Sequence, residues 1–341
     1  MSDALISPAV GGAFWAVSGG LIAWSIKKSS LDQDGRKTAL MGVLGAFVFA
    51  AQMINFTIPG TGSSGHLGGG LLLTVLLGPH RAFIALASVL VIQSLFFADG
   101  GLLALGCNIF NLAFFPAFLA YPFLYRTIAG NSLSPARLGA ASMTAATAGL
   151  LMGACFVVLQ TTVSGISELP FGTFMLFMLP IHFAIGIVEG LVTWAVVAFV
   201  AATEPSLLTM QKKPENKRFL TPAVFILMAL VTGGTLAWFA SSHPDGLEWS
   251  MARVSGREEI EGRHEPVHGM LSSIQEKIAF LPDYGFRSTG DGTSDSSDPV
   301  SPVNPGTSVS GIAGSLMVLV LAGAIGLFTG AGRRKTEKTG E

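Results

Sequence analysis

The chain has 341 residues, of which half are hydrophobic and only 12% are charged, about half the share of a soluble domain. Lys and Arg number 20 against 21 Asp and Glu, a net charge of −1; this excludes a nucleic-acid binder built on a basic face, and the apolar content excludes a disordered chain. Cys107 and Cys155, the two cysteines, lie in apolar runs and form neither a disulfide framework nor a metal-finger spacing.

The first apolar segment, 9–26, follows Met1-Ser2-Asp3. No positive n-region precedes it and no small-residue cleavage site follows it, so it reads as a span and not as a secretory leader. From Thr38 to Ala201 only six residues are ionised: Arg81, Asp99, Arg126, Arg137, Glu168 and Glu189. Apolar runs in this stretch reach the roughly 20 residues needed to cross a bilayer as a helix. The segments there are 39–58, 66–77, 82–98, 102–124, 138–163 and 173–201. The run 66–77 is too short for an ordinary span and is expected to be a broken helix that still carries the chain across.

Between the second and third segments lies Pro59-Gly-Thr-Gly-Ser-Ser-Gly-His-Leu-Gly-Gly-Gly70, half of it glycine. Irregular backbone at membrane depth is tolerated only where protein buries it or it lines a cavity. His66 sits at its centre. A neutral imidazole ligates divalent Ni, Co, Cu or Zn, and the alternative is a tight loop with a hydrogen-bonded histidine. Further along, Asn108 and Asn111 share a helical face at i, i+3. His182 and Glu189, seven apart, fall on one face of the seventh segment. Polar groups inside spans are costly and point to function, with interhelical hydrogen bonding as the alternative. Glu189 is placed to orient a neighbouring imidazole or amide.

A charged stretch, Gln211-Lys-Lys-Pro-Glu-Asn-Lys-Arg218, then breaks the composition. It divides a seven-segment module (1–208) from a two-segment module (220–331) through a linker at 209–219. The second module holds segments 220–240 and 310–330 around a loop at 241–309, and a basic tail, 332–341, follows. Within the loop, His264-Glu-Pro-Val-His268 matches the H-E-x-x-H pattern of zinc proteases. That motif needs both histidines on one helical turn, and Pro266 breaks the turn; ordinary loop histidines are expected, with surface metal capture as the alternative. No P-loop, dinucleotide fingerprint or nucleophile elbow occurs, so the chain is expected to bind no nucleotide and to be no enzyme.

Orientation follows from the positive-inside rule. With nine segments and the N-terminus outside, Lys27, Lys28, Arg36, Lys37, Arg81, Arg126, Arg137, Lys212, Lys213, Lys217, Arg218, Arg333, Arg334, Lys335 and Lys338 all fall inside, 15 of the 20 basic residues. The other five lie in loop 241–309, which is long enough to be exempt. The expected fold is therefore an all-α polytopic bundle in a prokaryotic cell membrane. It has about nine membrane segments, seven plus two, with the N-terminus outside and the C-terminus inside.

Several motifs resemble one family. Ala4-Leu-Ile-Ser-Pro-Ala-Val-Gly11, Ser64-Gly65-His66, Phe97-Ala-Asp-Gly-Gly-Leu-Leu-Ala-Leu-Gly-Cys-Asn108 and Ile181-His-Phe-Ala-Ile-Gly-Ile-Val-Glu-Gly190 resemble the substrate-binding M component of cobalt/nickel energy-coupling-factor transporters, the CbiM/NikM family. In the second module Pro244, Asp245, Gly246, Leu247 and Glu248 resemble the Pro-Asp-Gly-Leu-Glu signature of the accessory N component, with Phe280-Leu-Pro-Asp-Tyr-Gly-Phe286 beyond it. The resemblance implies that a bare Co(II) or Ni(II) ion, the transported substrate, binds close to the outside. Its ligands are implied to be the free amino terminus at Met1, the backbone nitrogen and imidazole of the second residue, and the imidazole of His66, with Ser64, Asn108, His182 and Glu189 as supporting groups. It also implies a membrane coupling subunit and two cytoplasmic ATP-binding subunits as separate chains. Family members begin Met-His where this chain has Met1-Ser2, so either the natural start lies upstream or this form binds metal differently. Two other functions fit the polar residues without the resemblance: an intramembrane metal-dependent hydrolase using His66, His182 and Glu189, or a passive divalent-metal channel.

Overall fold

The computed structural model describes residues 1–31, 34–208, 220–256, 266–287 and 304–336, with side chains through Thr329 in the last helix. A short 3-10 turn, Asp3–Leu5, leads into helix α1 (Pro8–Leu31). Helix α2 (Gly35–Gln52) starts at Asp34, whose carboxylate accepts from the amides of Arg36 and Lys37 at 3.1 and 3.3 Å. That is the usual way to satisfy first-turn donors. Two short strands follow, β1 (Phe56–Ile58) and β2 (Ser63–Gly65), antiparallel with Phe56 opposite Gly65. The glycine-rich stretch thus forms a small hairpin within an otherwise all-α protein.

Helix α3 (Gly70–Leu77) is eight residues long and buried throughout. Gly78, at φ 84°, stops it, and Pro79 opens helix α4 (Pro79–Phe97). The expected break is therefore written in a Gly-Pro pair. Helix α5 (Leu105–Ile109) runs into a wide π-type segment, Phe110–Tyr125, and then into α6 (Arg126–Ala129). Pro116 and Pro122 lie inside the π segment; each removes an N–H from the ladder, which the wider winding accommodates. Helices α7 (Pro135–Ser164) and α8 (Phe171–Thr203) pair along their lengths.

Six helices among the described residues are long and apolar enough to cross a membrane: Pro8–Leu31, Pro79–Phe97, Leu105–Ala129, Pro135–Ser164, Phe171–Thr203 and Pro305–Thr329. Helix α9 (Leu220–Gly234) is apolar but shorter, and it gives way to a 3-10 turn, Leu236–Phe239. Each of the nine expected segments thus carries a helix, but α3 is a short, buried element, α2 is 18 residues long and less apolar than the six, and α9 is interrupted. The loop expected at 241–309 contains helices α10 (Gly246–Ser255) and α11 (Pro266–Ile278). Helix α12 (Pro305–Thr336) closes the fold. The linker at 209–219 and the tail from 337 onward lie outside the described residues.

The two modules interleave. Helix α12 lies along α2 and also touches α4 and α9. Small residues permit this approach: a Cβ on Gly314 would lie 2.0 Å from the Phe49 ring, and one on Gly42 would lie 2.5 Å from the Leu319 carbonyl. At the start of α2, Arg36 makes an ion pair with Glu204 and bonds the Ser206 hydroxyl at 3.2 Å, tying α2 to the end of α8.

Candidate metal site

At the other end of α2, a cavity of about 110 Å³ opens between the hairpin, the π segment, α7, α8 and the start of α10. Met1, His66, Asn108, Asn111, His182, Asp245 and Gly246 all face it. Of the sequence-predicted site residues, Met1, His66, Asn108, His182, Asp245, Gly246 and Leu247 line it, drawn from both modules, whereas Ser64, Glu189, Pro244 and Glu248 do not.

The N-terminal residues are fixed against the turn before α5. The Met1 carbonyl accepts from the Gly101 amide at 3.2 Å and from Asn108 Nδ2 at 3.1 Å. The Asp3 carboxylate accepts from the Ala104 amide at 2.9 Å. Asn108 thus holds Met1 in place. Asn111 reaches the same cavity, but its Nδ2 donates to Gln160 Oε1 on α7 at 2.7 Å, an interhelical bond.

His66 is half-buried, and its Nδ1 lies 3.1 Å from the Leu67 carbonyl. A carbonyl only accepts, so in the neutral ring Nδ1 carries the proton and Nε2 carries the lone pair. His182 repeats this arrangement, with Nδ1 2.8 Å from the Met178 carbonyl one turn back on α8. Metal-binding histidines are commonly oriented in this way. Among the described residues no three His, Cys, Asp or Glu side chains gather as a ready-made metal cluster. Any ion held here must also use backbone nitrogen or groups drawn together on binding.

Glu189, 2% exposed, accepts from the amides of Gly68 and Gly69 at 2.8 and 3.1 Å. It orients backbone amides, one of the two options its position allowed. Both oxygens are turned toward these amides, and Glu189 does not line the cavity that His182 faces. Gly69, at φ 73°, caps α3 in the left-handed region, where a Cβ would also meet Val48 at 2.5 Å.

A chain of amides extends from this loop that sequence reasoning missed. Gln52 Nε2 donates to the Gly68 carbonyl at 2.9 Å, and Gln93 Nε2 donates to Gln52 Oε1 at 2.9 Å. Near the end of α4, the Tyr284 hydroxyl donates to Asp99 at 2.5 Å. Burial and the Asp99 carboxylate push the Tyr284 hydroxyl well above its ordinary range, so it remains a donor. The available signal was two glutamines within apolar runs, at 52 and 93.

The accessory motif grips the hairpin. The Ser64 amide donates to the Pro244 carbonyl and its hydroxyl to the His243 carbonyl, each at 2.8 Å. Ser64 therefore supports the site by joining the modules and lies off the cavity itself. The motif is a helix start. Asp245 caps α10 by accepting from the Leu247 and Glu248 amides at 2.8 Å, while Glu248 Oε2 accepts from the Asp245 amide at 3.1 Å, a capping box. Gly246 packs against α8, where an added Cβ would lie 3.1 Å from Ile185 and 3.3 Å from His182 Cε1. Leu247 also faces the cavity.

Helix α11 begins at Pro266, and His264 and Glu265 lie outside the described residues. His268 Nε2 bonds the Ile6 carbonyl at 3.0 Å, a structural contact with the N-terminal segment.

Comparison with known proteins places both parts of the chain in recognised families. Residues 1–207 match the family model "Cobalt uptake substrate-specific transmembrane region", and residues 219–330 match "PDGLE domain". The chain is 32% identical over 332 residues to the "Putative fused nickel transport protein NikMN" of Archaeoglobus fulgidus, covering 95% of this chain and 96% of that one. It is 30% identical over 301 residues to the "Probable fused nickel transport protein LarMN" of Lactiplantibacillus plantarum, covering 83% and 88%. A crystal structure of a transition metal transporter superposes with a TM-score of 0.53 at 26% identity, covering 62% of this chain and 97% of that one.

Proposed function

We propose that this chain, which belongs to the cobalt-uptake substrate-specific transmembrane family and carries a PDGLE domain, binds a divalent cobalt or nickel ion in the cavity beside His66 and releases it inward under the action of ATP-hydrolysing partners. The chain is a multi-pass membrane protein and a substrate-specific component of a cobalt/nickel uptake transporter, not an enzyme. In the proposed topology, nine segments cross with the N-terminus outside, linker 209–219 inside, loop 241–309 outside and the tail inside.

The observation that carries this reading is the pairing of His66 with the Met1 residue across one cavity, each fixed by its own hydrogen bonds. His66 Nδ1 is satisfied by Leu67, leaving Nε2 as a donor to metal. The Met1 carbonyl is pinned twice, which holds its nitrogen near the same space. Nitrogen donors of this kind suit Ni(II) and Co(II). The accessory module covers the cavity with Asp245, Gly246 and Leu247 and holds the hairpin through Ser64. It is therefore placed to order the loop when the ion enters.

The chain carries no nucleotide-binding loop, and binding shifts a conformational equilibrium only by differential affinity. Accumulation against a gradient needs a membrane coupling subunit and a pair of ATPases. The test is uptake of radioactive nickel or cobalt by cells expressing the chain alone or with those partners. Concentrative uptake is expected only with the partners, and it should vanish when the ATPases' catalytic lysines are replaced. Full accumulation by the lone chain after collapse of ion gradients would refute the reading; loss of accumulation on collapsing the proton or sodium gradient would instead indicate a secondary transporter.

A further inference from the structure

We infer that His182 supplies a second imidazole to the metal site, its Nε2 binding the same ion as His66. The inference rests on the proposed metal site at His66 and adds a ligand from α8 to it.

Four observations carry it. The ring of His182 faces the same cavity as His66 and Met1. Its Nδ1 is committed to the Met178 carbonyl at 2.8 Å, so the unprotonated nitrogen of the neutral ring is Nε2. Among the described residues no hydrogen bond reaches that Nε2, and the half-buried ring lines the cavity, so its lone pair is open to that space. Finally, the residue packed against the Cε1 edge is Gly246, where a Cβ would come within 3.3 Å. Position 246 therefore places no side chain against that edge, beside the nitrogen that faces the cavity.

Helix geometry keeps the ring in this position. His182 and Glu189 lie seven residues apart, nearly two turns, on one face of α8. Glu189 is locked onto the Gly68 and Gly69 amides just beyond His66. The contact that fixes the His66 loop therefore also fixes the position of α8 beneath it, and with it His182. Two imidazole nitrogens and a backbone nitrogen make a borderline donor set suited to late first-row divalent ions and poor for Mg²⁺ or Ca²⁺. Asp245, on the same cavity, supplies negative charge nearby.

The test uses the full chain purified in detergent and loaded with Co(II) or Ni(II). X-ray absorption of the wild-type complex counts imidazoles directly, and two are expected; a count of one overturns the inference without any variant. His182→Gln keeps a polar side chain of similar reach but lacks a basic nitrogen. It should weaken binding at least tenfold, because losing even an outer partner of a ligand costs about 10–100-fold. It should also lower the imidazole count to one and shift the Co(II) d–d bands. If His182→Gln kept the wild-type bands and imidazole count, His182 would not be a ligand, whatever its affinity. His66→Gln separates the two readings: if it too retained the wild-type spectrum, the proposed metal site itself would fail.

Discussion

Glu189 offers the sharpest test of how the metal loop is held. Its carboxylate, 2% exposed, accepts from two backbone amides at 2.8 and 3.1 Å. A hydrogen bond to a charged group contributes about 1.5–3 kcal/mol, and a buried donor left without a partner costs about 1–3 kcal/mol. Glu189→Ala removes both bonds. If the loop relaxes by opening locally, closing it again around the ion should cost about 2–4 kcal/mol, a loss of about 30-fold to 700-fold in affinity. Glu189→Gln keeps one oxygen but turns an NH2 toward an amide N–H. It loses one bond and the charge, about 1–2 kcal/mol, or about 5-fold to 30-fold. The ordering wild type, Gln, Ala is the signature of a loop clamp. Isothermal titration of Ni(II) into each purified protein measures it, with thermal melting in parallel to show that each is folded. A folded Glu189→Ala variant with Kd within about twofold of wild type would refute the argument.

His66→Ala should abolish tight metal binding in the same titration, because no water at a dehydrated site replaces a lost imidazole of comparable strength. His264→Ala and His268→Ala should alter uptake little; in His268→Ala one bond to the Ile6 carbonyl is lost, about 1 kcal/mol of stability. Asp245→Ala removes the cap of α10 at a cost of about 0.5–2 kcal/mol, read as a lower melting temperature and faster proteolysis within loop 241–309. Single cysteines at Gly292 and Lys338 should label from opposite faces of intact membranes, and labelling from one face would overturn the nine-segment topology.

Composition alone determined the class of this protein. An apolar chain with six ionised residues between Thr38 and Ala201 has no solvent but lipid for most of its surface, and in lipid the backbone must satisfy itself, mainly as helices. Every expected segment accordingly holds a helix. The boundary between segments 66–77 and 82–98 was legible in the sequence, and the structure puts the Gly78-Pro79 pair there, where glycine ends one helix and proline starts the next. His66 stood out as the imidazole at the centre of a glycine-rich turn, and the family resemblance, not the spacing, favoured a ligand over a hydrogen-bonded loop histidine. The π winding of Phe110–Tyr125 was not legible: it depends on how Pro116 and Pro122 are accommodated against α7, which no sequence period encodes.

Periodicity put His182 and Glu189 on one face of a helix but could not say what they faced. Tertiary structure separated them, giving Glu189 the Gly68 and Gly69 amides and leaving the Nε2 of His182 at the cavity. It also decided that the accessory motif belongs to the site. In the sequence, Asp245 and Glu248 read as a signature about 180 residues from His66; in the fold they cap a helix whose first turn closes the cavity, and Ser64 bonds the residues just before it. Local patterning fixes which residues are buried and which backbone turns form, because those depend on neighbours in the chain. Which distant groups meet depends on how closely the helices approach, and here glycines at 42, 246 and 314 set that spacing against α12, α8 and α2.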